Sequence, residues 1–464
     1  MGDEQGSRSV SDPDPSGLHE LRVVEAELNE RWPETKIEPS LDRIRALTDL
    51  LAEPQHTYPV VHVAGTNGKS STSRMIDALL GRIGLRVGRY TSPHLQLATE
   101  RISIDGGPIS PSDYVEAFRD IAPYVTMIDS RGDVPMSKFE VLTGMAFAAF
   151  AEAPVEAAVL EVGLGGGWDA TNVADGAVAV LCPVAHDHAE YLGTDLAGIA
   201  AEKAGVIKPG SVVVMAQQAP EAERVILERV AEVDATVARE GHEFGVLERQ
   251  VAVGGQMLRL QGLGGVYEDV FLPLYGEHQA RNAALALAAT ESFFGAGVAH
   301  QLSVDSVREA FAGVVTPGRM ERVRAAPAIF VDAAHNPHGA RALAGALTSE
   351  FSFRRLVGVV SVLGEKDARG MLAELEPVVD ELVITTNSSP RALDPDALAA
   401  IAKDVFPSEK LVVEPRFDDA VETAIQIAEE TDDPDESISG GGVIITGSVV
   451  TAGEGRALFG KEPA

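Results

Sequence analysis

Three residues in the chain have the types and settings needed to hold and split a polyphosphate. Lys69 follows a glycine turn in AGTNGKSS, Glu161 closes the apolar run VEAAVLEVG, and Arg319 stands directly behind a Pro317–Gly318 turn. In the first stretch Gly65 and Gly68 permit a tight turn, and Thr66, Asn67, Ser70 and Ser71 complete the loop. Loop N–H groups and a helix N-terminus attract a polyanion there, and Lys69 reaches its distal phosphates. A carboxylate buried at a strand end, as Glu161 reads, needs a cation, and magnesium opposite the phosphates of ATP supplies one. A guanidinium brought over a γ-phosphate by Arg319 spreads charge in phosphoryl transfer.

The elements that must position these residues are legible around them. Val60, Val61 and Val63 predict a buried strand before the loop, and Met75, Ile76, Leu79, Leu80 and Ile83 predict a helix after it. LRVGRYTS is a second strand leading to Ser92, Pro93 and His94, which places SPHL beside the phosphate loop, since open α/β sheets bind ligands beyond their strands' carboxyl ends. GAVAVLCPV is another strand, and residues 248–275 predict a β-hairpin around Gly264–Gly265. From Ala326 on, AIFVDAAHNP, RLVGVVSVLG, ELVITTN, KLVVEP and GVIITGS alternate with helical stretches, a second and smaller Rossmann-like sheet. The expectation is an α/β protein: a tail over 1–17 that is disordered, a phosphate-loop domain with a mainly parallel sheet over 18–316, and a second α/β domain over 317–464. Residues 18–57 read as helices, with Pro39–Ser40–Leu41 as an N-terminal cap. Thr431 to Gly442 reads as an acidic, flexible loop.

Composition narrows the class. The chain has 464 residues, 45% of them hydrophobic, which suits two or three domains with ample core. A formal charge of −32 argues against nucleic-acid or anionic-membrane partners, and it makes any polyanion site a local basic exception. The single cysteine, Cys182, lies in a strand-like run and reads as a buried thiol of a cytoplasmic protein. The N-terminal stretch has no apolar core and reads as neither a signal nor a transit peptide.

The general P-loop pattern asks for glycine where this chain has Val63, and a narrower wording accounts for the motif. GTNGKSS resembles the Mur ligase superfamily, ATP-dependent enzymes that join an amino acid to a carboxylate. Its neighbourhood, with YTSPHL, GLGGGWDATN, DHAEYLG, EKAG and VDAAHNP in order, is similar to folylpolyglutamate synthase and dihydrofolate synthase.

That resemblance implies further roles. Ser92, Glu161 and His188 would be magnesium ligands, Asn282 an adenine contact, and Asp332 and His335 contacts to ATP from the second domain. Lys203 would carry a carbamate that orients the metal site. Phe139, Glu140, Trp168, Asp169 and Ala170 would line the folate or pteroate pocket. Two departures stand out: Gly167 where many relatives have arginine, and Ala333 for glycine. Other readings stay open, such as Ser92 as a turn hydroxyl, Glu140 as a helix N-terminal acid and Lys203 as a surface ion pair. The implied activity transfers L-glutamate to a folate, or to dihydropteroate, through an acyl phosphate, in a monomer. A Mur-type ligase acting on a nucleotide-linked muramyl carboxylate is the alternative, although about 60 residues before the loop leave little room for its extra domain.

Overall fold

The computed structural model describes residues 15–31, 38–187, 189–430 and 440–464. Its first sheet is built from β1 (Val60–Ala64), β2 (Val87–Tyr90), β3 (Ile102–Ile104), β4 (Gly107–Pro108), β5 (Ala157–Glu161), β6 (Gly176–Leu181), β7 (Val212–Met215) and β8 (Thr236–Arg239). Their spatial order is β4-β3-β2-β5-β1-β6-β7-β8. β1 lies in the centre, parallel to β5 on one side and β6 on the other. Every residue of β1 and β5 is buried, which is why both are mainly apolar rather than alternating, with His62 the polar member inside β1 and Glu161 closing β5. Antiparallel β3 and β4 extend the edge beyond β2.

Helices cover both faces. The Lys69–Ile83 helix packs against the Glu277–Phe293 helix, whose buried alanines from Ala280 to Ala289 let the two approach closely in the main core. The first helix begins at Pro15, so it takes in the end of the expected tail. The cap expected at Pro39–Ser40–Leu41 is corrected: the residue flanking the Asp42–Leu50 helix is Leu41, which offers no side-chain bond, and the Ser40 hydroxyl accepts from the Asp42 N–H at 3.0 Å. This is a serine turn just ahead of the helix, not an N-cap.

A small antiparallel sheet follows, β9 (Gly245–Ala252), β10 (Gly255–Gln261) and β11 (Val266–Leu272). β10 and β11 are the expected hairpin, and β9 extends it. The buried Glu291 holds its turn by accepting from the N–H of Gly264 at 2.9 Å and the hydroxyl of Tyr267 at 2.7 Å.

The last sheet comprises β12 (Glu321–Arg324), β13 (Ala328–Val331), β14 (Arg355–Val360), β15 (Glu381–Ile384), β16 (Leu411–Val413) and β17 (Gly441–Thr446), ordered β12-β13-β17-β14-β15-β16. All neighbours are parallel except β12 and β13. The flexible loop expected from Thr431 lies outside the described residues up to 439, and its last two residues open β17. Partly buried polar contacts join the sheets' surroundings: Arg249 of β9 pairs with Glu350, and Arg456, which pairs with Glu321, donates a hydrogen bond to Gln96. Among the described residues no helix is long and apolar enough to cross a membrane.

Candidate active site between the two parallel sheets

The carboxyl ends of β1, β2, β5 and β6 open on one crevice because those strands are parallel. The chain leaves β1 into the glycine loop. A Cβ at Gly65, where φ is +142°, would lie 2.6 Å from Cβ of Cys182, so this turn admits only glycine. Thr66 staples the loop to the stretch after β6: its hydroxyl donates to the Ala185 carbonyl and accepts from the Ala185 N–H, both at 3.0 Å. Lys69 opens the helix and folds its ammonium over the loop, donating to the carbonyls of Gly65 at 3.1 Å and Thr66 at 3.2 Å. The first-turn N–H groups after it are those a helix leaves free for an anion.

Glu161 ends β5 beneath this loop and is 1% exposed. Its Oε1 accepts from the Ser70 hydroxyl at 2.8 Å, while Oε2 is buried with no hydrogen-bond partner. Burial pushes its carboxyl up, opposed by Lys69, Ser70 and Arg319. An orphaned carboxylate oxygen beside a phosphate-loop serine fits a hard divalent cation. Ser92, which follows β2, lines the same cavity. Among the described residues no cluster of three or more His, Cys, Asp or Glu converges. His188 lies outside the described residues.

Lys203 closes the nearby Leu196–Ala204 helix and is 5% exposed, not a surface residue. Burial first, then the charge of Lys69, pushes its amine down to about 7. Asn282 stands under the loop, donating to Gln279 at 3.1 Å, and Gln279 in turn reaches the Ser71 hydroxyl at 3.3 Å.

The second sheet supplies the opposite wall. Arg319 lines the cavity around the glycine loop, and the turn that carries it is held by Asp332, whose oxygens accept from the N–H groups of Met320 and Ala334, each at 2.8 Å. Asp332 therefore shapes its own wall with backbone bonds, and burial pushes its carboxyl up. His335 bonds the Ala333 carbonyl through Nδ1 at 2.9 Å and approaches Asp187 to 3.5 Å through Nε2.

A second cavity, about 470 Å³, lies beside the first. Phe139, Leu164, Trp168 and Ala170 give it apolar walls, with Arg43 and Glu140 at one side. Glu140 is held two ways, by a capping box with Ser137 and by Arg43 Nε at 3.0 Å, and at 6% side-chain exposure it is nearly sealed. Asp169 gives its oxygens to the N–H groups of Gly163, Leu164 and Thr171, so it shapes the glycine loop under the cavity. The backbone of that loop is packed too closely to carry bulk at Gly166, whose Cβ would meet the Glu202 carbonyl at 2.5 Å. Gly167 lies beside the same glutamate, 3.2 Å from its Oε1 by the same measure. The two cavities share Ser92, Pro93, Gly163, Leu164, His335 and Val449. These residues form a neck where a group bound on one side can react with a group on the other.

Comparison with known proteins decides the lineage. The Mur ligase middle domain profile matches residues 126–290, and that of the Mur ligase glutamate ligase domain matches 318–436. The dihydrofolate synthase/folylpolyglutamate synthase of Mycobacterium tuberculosis is 55% identical over 99% of this chain and 98% of its own length. The chain belongs to the dihydrofolate synthase/folylpolyglutamate synthase family of Mur ligases. The member of this family from Bacillus subtilis is 34% identical over 81% of this chain and 86% of its own. A crystal structure of the M. tuberculosis folylpolyglutamate synthase complexed with ADP superposes with a TM-score of 0.93 at 54% identity, covering 97% of this chain and all 100% of the other. The Escherichia coli enzyme in complex with DHPP and ADP gives 0.81 at 30% identity, covering 94% and 97%.

Within this family's architecture, the residues singled out in the sequence fall into two groups. Gly65 to Ser71, Ser92, Glu161, Lys203, Asn282, Arg319, Asp332 and His335 line the cavity around the glycine loop, and Phe139, Glu140, Trp168, Asp169 and Ala170 line the other. Sequence reasoning gave no role to Arg43, Gln279, His338 or Lys366. Lys366 follows β14 in SVLGEKD, and its position after a strand was the available signal.

Proposed function

We infer that the chain is an ATP-dependent ligase that joins the amine of L-glutamate to a carboxylate of a folate, and also of dihydropteroate. The folate ligase activity follows from membership of the family, whose M. tuberculosis, B. subtilis and E. coli members carry both activities in their names. The muramyl alternative is not favoured, because these relatives are folate enzymes over nearly the whole chain. The observation that carries the reading is the neck joining two cavities, one rimmed by phosphate-loop groups and one by aromatic and aliphatic walls.

In this reading ATP lies along the Lys69 loop with its γ-phosphate at the neck, and Asn282 faces the base. The acceptor lies against Phe139 and Trp168, with its carboxylate at the neck. Ser70, Ser92 and Glu161 are the oxygen donors that would hold magnesium. When bound, the ion supplies positive charge at the phosphates. Carboxylate oxygen attacks the γ-phosphorus, the bond to the β–γ bridging oxygen breaks, and ADP and an acyl phosphate form. Lys69 and Arg319 stabilise the charge that moves onto the bridging oxygen. The amine of glutamate then attacks the acyl carbon and phosphate leaves. His335, with Nδ1–H on the Ala333 carbonyl, keeps Nε2 to take the amine proton, and Asp187 steadies the imidazolium. A neutral Lys203 amine is the form that captures carbon dioxide, and its carbamate would offset the positive charge of Lys69.

Pure protein incubated with MgATP, L-glutamate and either dihydropteroate or tetrahydrofolate tests the reading, with products identified by mass and ADP release followed. Glutamylation of both acceptors is expected. ATP binding without any glutamylated product would overturn it.

A further inference from the structure

One side chain with no role so far sits where the two sheets meet. Asn336 is 2% exposed and opens the Pro337–Glu350 helix. Its Oδ1 accepts from the Gly339 N–H at 2.8 Å, which fixes the orientation of the amide. The same oxygen accepts from Asn67 Nδ2 at 3.2 Å, and Asn336 Nδ2 returns a bond to Asn67 Oδ1 at 3.2 Å. Nδ2 also donates to Asp187 Oδ2 at 2.9 Å, a place only a donor can fill. On the other oxygen of Asp187 sits Lys366 Nζ at 2.7 Å, both side chains being under a tenth exposed. Asn67 meets His338 Nδ1 at 2.9 Å as well.

The chain origins of these groups matter. Asn67 and Asp187 follow β1 and β6, adjacent strands of the first sheet, whereas Asn336, His338 and Lys366 follow β13 and β14 of the second. Polar bonds make this junction, while apolar contacts between the two parts of the chain lie elsewhere, at Tyr275 against Phe330 and Phe351 and at Leu95 against Gly318. It lies one residue from His335 at the neck and inside the phosphate loop itself.

We propose that Asn336 is a positioning residue that latches the two sheets in their reactive apposition, engaging the phosphate loop through Asn67 and the loop after β6 through Asp187. The proposal rests on the ligase reading for its catalytic consequence. In-line attack between groups carried by two separate sheets demands their registry to within about 1 Å. The latch sets that registry. A helix cap alone would account for the Gly339 bond but not for the three bonds Asn336 makes across the junction.

Asn336→Asp separates the two roles. It keeps an oxygen for Gly339 and for Asn67 Nδ2, and aspartate caps helices well, but it replaces the donor with a carboxylate oxygen facing Asp187. Spin labels on Glu232→Cys and Arg369→Cys, both exposed and on opposite sides of the junction, report the distance between the sheets, since Cys182 is buried. In Asn336→Asp, we expect an unfolding midpoint near that of the parent, ATP affinity within about twofold, kcat lower by about tenfold or more, and a broadened distance distribution. Parental kcat together with a parental distance distribution would overturn the latch. So would joint loss of stability and ATP affinity, the mark of a structural residue. Absence of glutamylation by the parent protein would sink the ligase reading, and the spin-label distances would still decide the latch.

Discussion

Oδ1 of Asn282 lies 2.7 Å from the point a Cβ on Gly68 would occupy. The phosphate loop and the long alanine helix are therefore in direct contact at a glycine that also has φ of +89°. A side chain at position 68 would be strained in backbone and would displace the asparagine expected to face the base. Gly68→Ala should reduce ATP affinity by about tenfold or more and lower stability by ~1–2 kcal/mol. Calorimetric titration with ATP and thermal unfolding check both.

Glu161 gives a second expectation. Glu161→Gln keeps the shape and an oxygen for Ser70, yet removes the charge that would hold magnesium. The metal concentration for half-maximal turnover should rise by about tenfold or more. A magnesium titration of ADP release at saturating ATP reads this, and an unchanged midpoint would remove Glu161 from the metal site.

The Arg43–Glu140 pair spans the acceptor cavity's side wall with both groups largely sealed. Arg43→Ala leaves an uncompensated carboxylate and should cost ~3 kcal/mol, while Arg43→Ala with Glu140→Gln should recover most of it. KM for the folate acceptor should rise in the single variant and KM for ATP should not. Urea unfolding and steady-state kinetics on the three proteins separate these outcomes.

Lys203 carries a pH expectation. Its amine is pushed down to about 7 in the folded chain, whereas an unfolded lysine titrates at roughly 10.4. Between those values the unfolded chain binds the extra proton, so stability rises with pH through this window and is lost as pH falls through 7. Compared in buffer free of carbon dioxide, the parent should gain on Lys203→Met from pH 7 to 9, at up to ~1.4 kcal/mol per pH unit. Equal pH dependence in the two proteins would show that the amine keeps its ordinary titration.

Much of this was legible in the chain because local chemistry was strong. The runs behind β1, β5, β6, β13, β14 and β17 are mainly apolar, as strands largely buried on both faces must be. β9 escaped notice because much of it faces solvent, and β12 because ERVR has no apolar run. The loop residues were legible as a motif, but their partners were not. That Asp332 spends its oxygens on backbone, or that Asp169 shapes a glycine loop, depends on turns whose geometry no spacing rule reports. Asn336, His338 and Lys366 meet Asn67 and Asp187 across more than a hundred residues of sequence, and only the packing of two sheets brings them together.

The shared neck has a consequence for the fate of the intermediate. An acyl phosphate formed there has ADP on one side and the bulk of the acceptor on the other, so neither end is a ready exit for it or an entry for outside nucleophiles. Its commonest alternative to capture by glutamate is then return to ATP rather than hydrolysis. With the acceptor present and glutamate absent, the protein should exchange labelled oxygen between the β–γ bridge and the non-bridging β positions of ATP while consuming little of it, behaving as a reversible store of activated carboxylate that waits for its second substrate.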